Sequence, residues 1–479
     1  MKREFLINLL ILLSINVLIK PLFIFGVELR VQNAVGVEQY GMYFALLSLT
    51  YLLQMVNDFG IQNFNSKAIS QDNSLLNYYL PNLFVIKIGL AIVYFIATFL
   101  VGLGLGYPSE YFRLLGWLAI NQVLVSFILY LRTNIQGIGK YRVDSFLSAL
   151  DRFLSIIFCS VFIYYGFFQK NQGIEYFVYA QTLALSLTFI LALGIVVRHV
   201  ERVQWHFNPS FLKELLKKSY PYALIALLMT LYTRSDSVLL ERLLPDGKMQ
   251  TGIYASAYRL LDALNSIGLL FGGLLLPMFA KTASSAQENG TDTSAFKQLL
   301  HLSLRLVLVG GITVVIAIYS YQQEISHFLY HQATDVWGRC LGVLILSFIP
   351  ICFMYVAGAL LTAKDCIWEM IRIFALSAIL NIGLNYFFIL HYQAEGAALA
   401  TVLTQFFVAS ALAYQMYRIG LGIDGRLFLQ LFALILIQIC IHWALPNTLD
   451  WKIGFGLLLC SGVVSGVGLR LLRVQDLKR

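Results

Sequence analysis

Ten ionisable side chains stand in stretches otherwise suited to hydrocarbon: Lys20, Lys87, Arg152, Arg234, Arg259 and Arg305, with Asp58, Asp151, Asp236 and Asp262. An Arg, Lys or Asp at the centre of a membrane helix costs about 2.5 to 3.5 kcal/mol, so ten facing lipid would cost on the order of 25 to 35 kcal/mol. The cost falls when such groups face a polar cavity or one another. Two chemistries follow. A surplus of cations in such a cavity recognises an anion, whereas a desolvated carboxyl exchanges protons near neutral pH and serves ion coupling.

Helical spacing groups these residues. Arg259, Asp262 and Ser266 share a face at i, i+3 and i+7, and Thr230, Thr233, Arg234 and Ser237 form a polar stripe. Asn16 and Lys20 are one turn apart, with Asn8 two turns earlier. These three segments are read as lining a cavity. At ~1.5 Å per residue, Lys87, Arg152 and Arg305 lie about 12 Å in from a cytoplasmic start, while Lys20, Arg234 and Arg259 lie nearer the midplane or beyond it. Two cationic tiers of this kind suit an anionic group drawn from one membrane face and handed across. The inner three are also close enough to the interface to snorkel. Arg234 with Asp236, Arg259 with Asp262 and Asp151 with Arg152 are placed to offset each other. Lys20, with no acid on its own face, is the residue most expected to meet an anion.

Such groups need membrane helices to hold them. Of 479 residues 59% are hydrophobic and 12% charged, about half the charge of an ordinary soluble domain. Apolar runs long enough to cross ~30 Å of hydrocarbon give fourteen spans, near 5–27, 40–59, 79–104, 112–134, 145–168, 174–197, 219–243, 252–279, 298–320, 339–362, 368–390, 395–417, 427–445 and 452–471. The second is polar at its end, at Gln54, Asn57 and Asp58. Too little chain is left for a large aqueous catalytic module. Gly137-Ile138-Gly139-Lys140 lacks the spacing of a phosphate-cradling loop, the six cysteines form no CxxC pair, and His327, His331 and Asp335 read as a solvated turn rather than a metal site. Neither enzymatic activity, a cofactor nor a metal is expected.

Orientation comes from the basic residues of the connections. With the N-terminus cytoplasmic, the inside segments hold 21 Lys and Arg and the outside segments 7. Both termini are thus expected in the cytoplasm, and the first span, which has no small-x-small cleavage site, is read as retained. The net charge of +9 is chiefly this topology, pointing to anionic bilayer lipid and away from nucleic acid. Pro350, near the middle of the tenth span, frees a backbone carbonyl and is expected to kink it as a hinge. Pro21, Pro81, Pro221 and Pro277 read as boundary residues.

The halves repeat. Gly41-Met42-Tyr43 matches Gly252-Ile253-Tyr254, Lys67 matches Lys281, Lys87 matches Arg305, Arg113-Leu114-Leu115-Gly116 matches Arg339-Cys340-Leu341-Gly342, and Lys140 matches Lys364. Each pair is six spans apart, so the halves share one orientation. The stretches VGVEQYGMYFALLSL (35–49) and DFGIQNFNSKAIS (58–70), with NIQGIGKYR, LLLPMFAK and EGAALATVLTQ later on, resemble the polysaccharide transporter family. That family belongs to the multidrug/oligosaccharidyl-lipid/polysaccharide exporter superfamily and includes the Wzx-type O-antigen flippases.

The resemblance implies an all-α membrane protein: an N-lobe of six helices (1–200), a cytoplasmic linker (201–218), a C-lobe of six (219–417) around a central cavity, and two C-terminal helices with a basic tail (418–479). It also implies a cargo, a polyprenyl-diphosphate-linked oligosaccharide moved across a bacterial inner membrane by alternating access for surface polysaccharide synthesis, in company with glycan polymerase or ligase machinery. The six cations would meet the diphosphate. Asn16, Asp58, Asp236 and Asp262 would supply cavity polarity or ion coupling. Two readings compete: a proton- or sodium-coupled drug or metabolite antiporter, centred on the acids, and a non-transporting scaffold that uses Gly268-x-x-x-Gly272 and Gly462-x-x-x-Gly466 for helix contacts.

Overall fold

The structure, a computed structural model, describes residues 18–62, 65, 69, 75–169, 173–200, 209–289, 293–446 and 448–472. Asn16 lies outside them. Every regular element among the described residues is helical. We number them α1 (18–35), α2 (Val37–Leu52), α3 (Gln54–Asp58), α4 (Leu76–Gly104), α5 (Phe112–Gly137), α6 (Tyr141–Tyr164), α7 (Gly173–Val197) and α8 (Pro209–Leu243). There follow α9 (Gly247–Asn289), α10 (Thr293–Ser320), α11 (Gln322–Leu329), α12 (Asp335–Ile345), α13 (Phe348–Ala363), α14 (Ile367–Arg418), α15 (Gly425–Ala444) and α16 (Trp451–Gly468).

Among the described residues, eleven helical segments are long and apolar enough to cross a membrane. The difference from fourteen has a local origin. Helix α1 is described only from residue 18, and α2 is 16 residues long. Helix α14 runs for 52 residues, about 78 Å at ~1.5 Å per residue and far more than one bilayer needs. It breaks at Gln393 (φ 54°, ψ −128°), which makes it two passes where 368–390 and 395–417 were expected.

Helix breaks coincide with polar or proline-bearing sequence. Helix α1 contains a π-helical turn, Ile24–Glu28, soon after Lys20-Pro21; such turns often sit where a helix carries function. Helix α2 stops at Leu53, α3 ends after one turn, and Phe59 (φ 49°) and Gly60 (φ 78°) turn left-handed. Gly60 is needed here because a Cβ would stand 2.9 Å from the carbonyl oxygen of Ser219. In the tenth span the interruption falls at Leu346–Ser347, between α12 and α13, and Pro350 sits in the first turn of α13. The proline ring cannot tolerate a helical carbonyl at Leu346, four residues earlier, so the break precedes the proline. Pro81, Pro221 and Pro277 lie inside helices, not at boundaries, because α4, α8 and α9 begin earlier or end later than their apolar cores.

Packing divides the chain into two units, 1–252 and 253–479. The division falls inside α9, later than the linker expected at 201–218, because α8 lies along α2. Within the first unit, Gly41 and Gly252 meet backbone to backbone. A Cβ on Gly41 would stand 1.9 Å from the Lys248 carbonyl oxygen, and one on Gly252 would stand 2.1 Å from that of Val37. These are the two glycines that open the matched halves of the sequence.

In the second unit, α15 and α16 pack on α10. A Cβ on Gly462 would strike Thr313 at 2.2 Å, and one on Gly268 would strike Tyr355 at 2.3 Å. Both small-residue motifs are therefore occupied within the chain. Replacing Gly252 with alanine should lower stability by about 1 to 3 kcal/mol through overpacking. Gly89→Ala, with no neighbouring atom within 4 Å, should not. Unfolding midpoints of the purified variants check the contrast.

Candidate functional site

In the first unit the break after α2 brings its carbonyls to α4 and α5. Lys87 of α4 is fully buried. Its Nζ donates to Asp58 Oδ1 at 3.0 Å, to Ser126 Oγ at 2.7 Å and to the Asn57 carbonyl at 3.3 Å. The rings of Phe127 and Tyr130 stand 5.8 and 5.9 Å away. Three donors thus meet three oxygens. Lys87 and Asp58, expected as separate cavity groups, form one ion pair, with Gln62 also donating to Asp58 at 2.9 Å.

A second cluster draws on α1, α2, α6 and α8. Arg152 of α6 lies 3.7 Å from Asp151 and 5.0 Å from the Phe23 ring centroid, its side chain 39% exposed. Glu28 and Tyr51 are within its electrostatic reach. Lys20, half-buried, is within reach of Arg152, Asp151 and Arg132, and Arg132 is held by Asp144 at 2.6 Å. Arg234 of α8 lies over the Tyr51 ring at 5.0 Å. Tyr51 carries Arg234 on its ring and is within electrostatic reach of Arg152, as Arg152 is of Lys20. Aromatic faces attract guanidinium groups, and Asp151 and Glu28 bring carboxylates to the same cluster. Asp236, two residues from Arg234 on the same helix, is fully buried.

In the second unit Arg259 pairs with Asp262 at 3.3 Å, as their i, i+3 spacing suggests, and Ser266 donates to the Asp262 carbonyl at 3.0 Å. Arg305 of α10 differs from its repeat partner Lys87. The stretch matching Asp58, residues 269–272, reads Leu-Leu-Phe-Gly and offers no carboxylate. Arg305 Nε is buried without a hydrogen bond among the described residues. By helical spacing Arg305 shares a face with His301, Leu308 and Ile312. His301 lies 3.5 Å from Asp424. Leu308 and Ile312 line an apolar groove of about 350 Å³ that Phe353, Phe406, Phe428 and Phe432 continue across α13, α14 and α15.

The sequence reading missed the polar end of the first unit. Arg113 and Glu175 pair at 2.6 Å, and in the second unit Arg339 and Glu395 pair at 2.8 Å. Arg113 and Arg339 are repeat partners, and extending the repeat to acids would have found both pairs. The Arg242 guanidinium stacks on Tyr107 at 4.1 Å and donates to the Leu105 and Gly106 carbonyls at 3.3 Å. Burial first, and then the Glu241 carboxylate, push the Tyr107 phenol above its usual range. With Glu38, Glu110 and Lys248, Arg113 and Glu175 surround a pocket of about 530 Å³.

The profile of the family described as "Polysaccharide biosynthesis protein" matches residues 5–283. The chain belongs to this family. Among solved structures this family member is similar to "Lipid II flippase MurJ, inward closed conformation", with TM-score 0.71, 15% identity, 99% of this chain and 100% of that one covered. It is also similar to an inward-facing multidrug resistance MATE family transporter of the MOP superfamily, with TM-score 0.60, 14% identity and 86% and 98% coverage. A MOP superfamily transporter from Pyrococcus furiosus gives TM-score 0.61, 14% identity and 86% and 95% coverage. No curated protein matches the sequence. The fold is that of a multi-pass membrane flippase or transporter.

The two kinds of ion pair should behave differently in this polysaccharide biosynthesis protein. Asp58→Asn leaves Lys87 buried without its carboxylate and should cost about 3 to 5 kcal/mol. Glu175→Gln and Glu395→Gln, which break pairs with half-exposed arginines, should barely move the unfolding midpoint. Equal losses in all three variants would contradict this assignment.

Proposed function

We propose that the protein flips a polyprenyl-diphosphate-linked oligosaccharide from the cytoplasmic to the outer leaflet of a bacterial inner membrane, for surface polysaccharide synthesis. The observation that supports this reading is a group of cations on membrane helices: Lys20 within electrostatic reach of Arg152, Arg152 over the Phe23 ring and Arg234 over the Tyr51 ring. Guanidinium groups bind phosphate through charge-assisted, frequently bidentate hydrogen bonds, and Arg152 and Arg234 keep their charge at every physiological pH. The apolar groove of the second unit, lined by Leu308, Ile312 and four phenylalanines, is the kind of slot a prenyl chain needs.

Transport proceeds by alternating access with both termini cytoplasmic, and the Leu346–Ser347 break ahead of Pro350 serves as a hinge. Bilayer lipids surround the protein, and glycan polymerase or ligase machinery receives the product. Lys87 contributes structure, not phosphate contact. The name of the full-length structural relative, a lipid II flippase, agrees with a lipid-linked cargo.

The antiporter reading needs free membrane carboxylates, yet Asp58 and Asp262 each contact a cation of the chain. The scaffold reading loses its motifs to internal packing. In proteoliposomes carrying a fluorescent lipid-linked oligosaccharide, Lys20→Ala and Arg234→Ala should each slow flipping about tenfold or more, the loss of a charge-assisted contact, while the protein still inserts. Unchanged flipping in both, or drug efflux in place of flipping, would reject this function.

A further inference from the structure

The oxygens around Lys87 have a composition that the ion pair alone does not require. They are a carboxylate oxygen of Asp58, the carbonyl of Asn57 freed by the break after α2, and the hydroxyl of Ser126, at 2.7 to 3.3 Å from Nζ. Ser126 in turn donates to that same carbonyl at 3.3 Å. Carboxylate, unwound carbonyl and hydroxyl are the oxygens that hard cations select, and unwound carbonyls in broken membrane helices coordinate Na⁺ in many transporters.

The node also holds more acceptors than Lys87 can use. Among the described residues, Asn57 Oδ1 and Gln122 Oε1 are buried without a hydrogen-bond donor, on residues 0% and 4% exposed. Both belong to the node: Asn57 Nδ2 donates to the Gln122 carbonyl at 3.1 Å, and Gln122 lies one turn before Ser126 on α5. An excess of buried oxygens is costly unless a positive charge stands among them.

We propose that this node is a monovalent-cation site which the chain fills with its own ammonium. A single carboxylate sets the charge at one. The tether makes occupancy independent of bulk salt, so the first unit folds around α2, α4 and α5 without recruiting an ion. The repeat does not carry the cage into the second unit, since residues 269–272, which match Asp58, include no carboxylate. This inference is independent of the transported substrate.

The test uses purified full-length protein melted in chloride salts of choline, Na⁺, K⁺ and methylammonium. Lys87→Ala should melt below wild type in choline, and its midpoint should rise with the concentration of at least one small cation, as binding to the native state demands. Wild type and the double variant Lys87→Ala/Asp58→Asn should show no such rise. The inference is overturned if Lys87→Ala melts alike in all four salts or if the double variant rises equally. Recovery of the double variant but never of Lys87→Ala, in any of these salts, would also overturn it, because the emptied cage would then admit no ion.

Discussion

A charge in hydrocarbon must be answered by another charge, by hydrogen bonds or by a cavity, and this constraint orders the molecule. Lys87 is answered in full by three oxygens, two of them available only because α2 breaks before α3. Removing its charge would leave the Asp58 carboxylate with the Gln62 amide but no counter-charge. The break, the ion pair and the packing of α4 on α3 and α5 are one interaction seen from three elements. Arg152 and Arg234 are met differently: Arg152 has the Phe23 ring at 5.0 Å and Asp151 at 3.7 Å, and Arg234 lies over the Tyr51 ring at 5.0 Å.

The internal repeat shows which features each half keeps and which diverge. Both halves keep an arginine paired with a glutamate, Arg113 with Glu175 and Arg339 with Glu395. Both keep a glycine at the start of the matched helix, and there the two glycines meet. The inner cation is kept as well, but its carboxylate is not: Lys87 has Asp58, whereas the matching stretch, residues 269–272, is apolar. One duplicated position thus became an ion-paired node in one half and, in the other, an arginine whose Nε is buried without a hydrogen bond among the described residues. This divergence is what the proposed division of labour between structure and phosphate binding rests on.

Most of the helices were legible because hydrophobic runs and basic connections are properties of single segments. Gly173–Val197 and Leu76–Gly104 fall within a few residues of their expected bounds, and the polar end of the second span, marked by Gln54, Asn57 and Asp58, is where the helix fails. Arg259 with Asp262 and Asp151 with Arg152 were readable because their spacing is local. Lys87 with Asp58 was not, since the partners are on different helices and the third ligand, Ser126, is on another. Depth along a helix suggested snorkelling for Lys87, but depth does not specify azimuth, and azimuth decides between lipid and core.

Binding of a polyprenyl diphosphate to the purified protein, compared by native mass spectrometry with the uncharged prenol, tests the central claim most directly. The account predicts that the diphosphate binds and the prenol does not compete. Removing the Arg152 and Arg234 guanidinium groups together should weaken binding about tenfold or more, whereas neutralising Lys87 and Asp58 together should leave it unchanged. Equal binding of diphosphate and prenol, or a diphosphate affinity indifferent to both arginines, would contradict it.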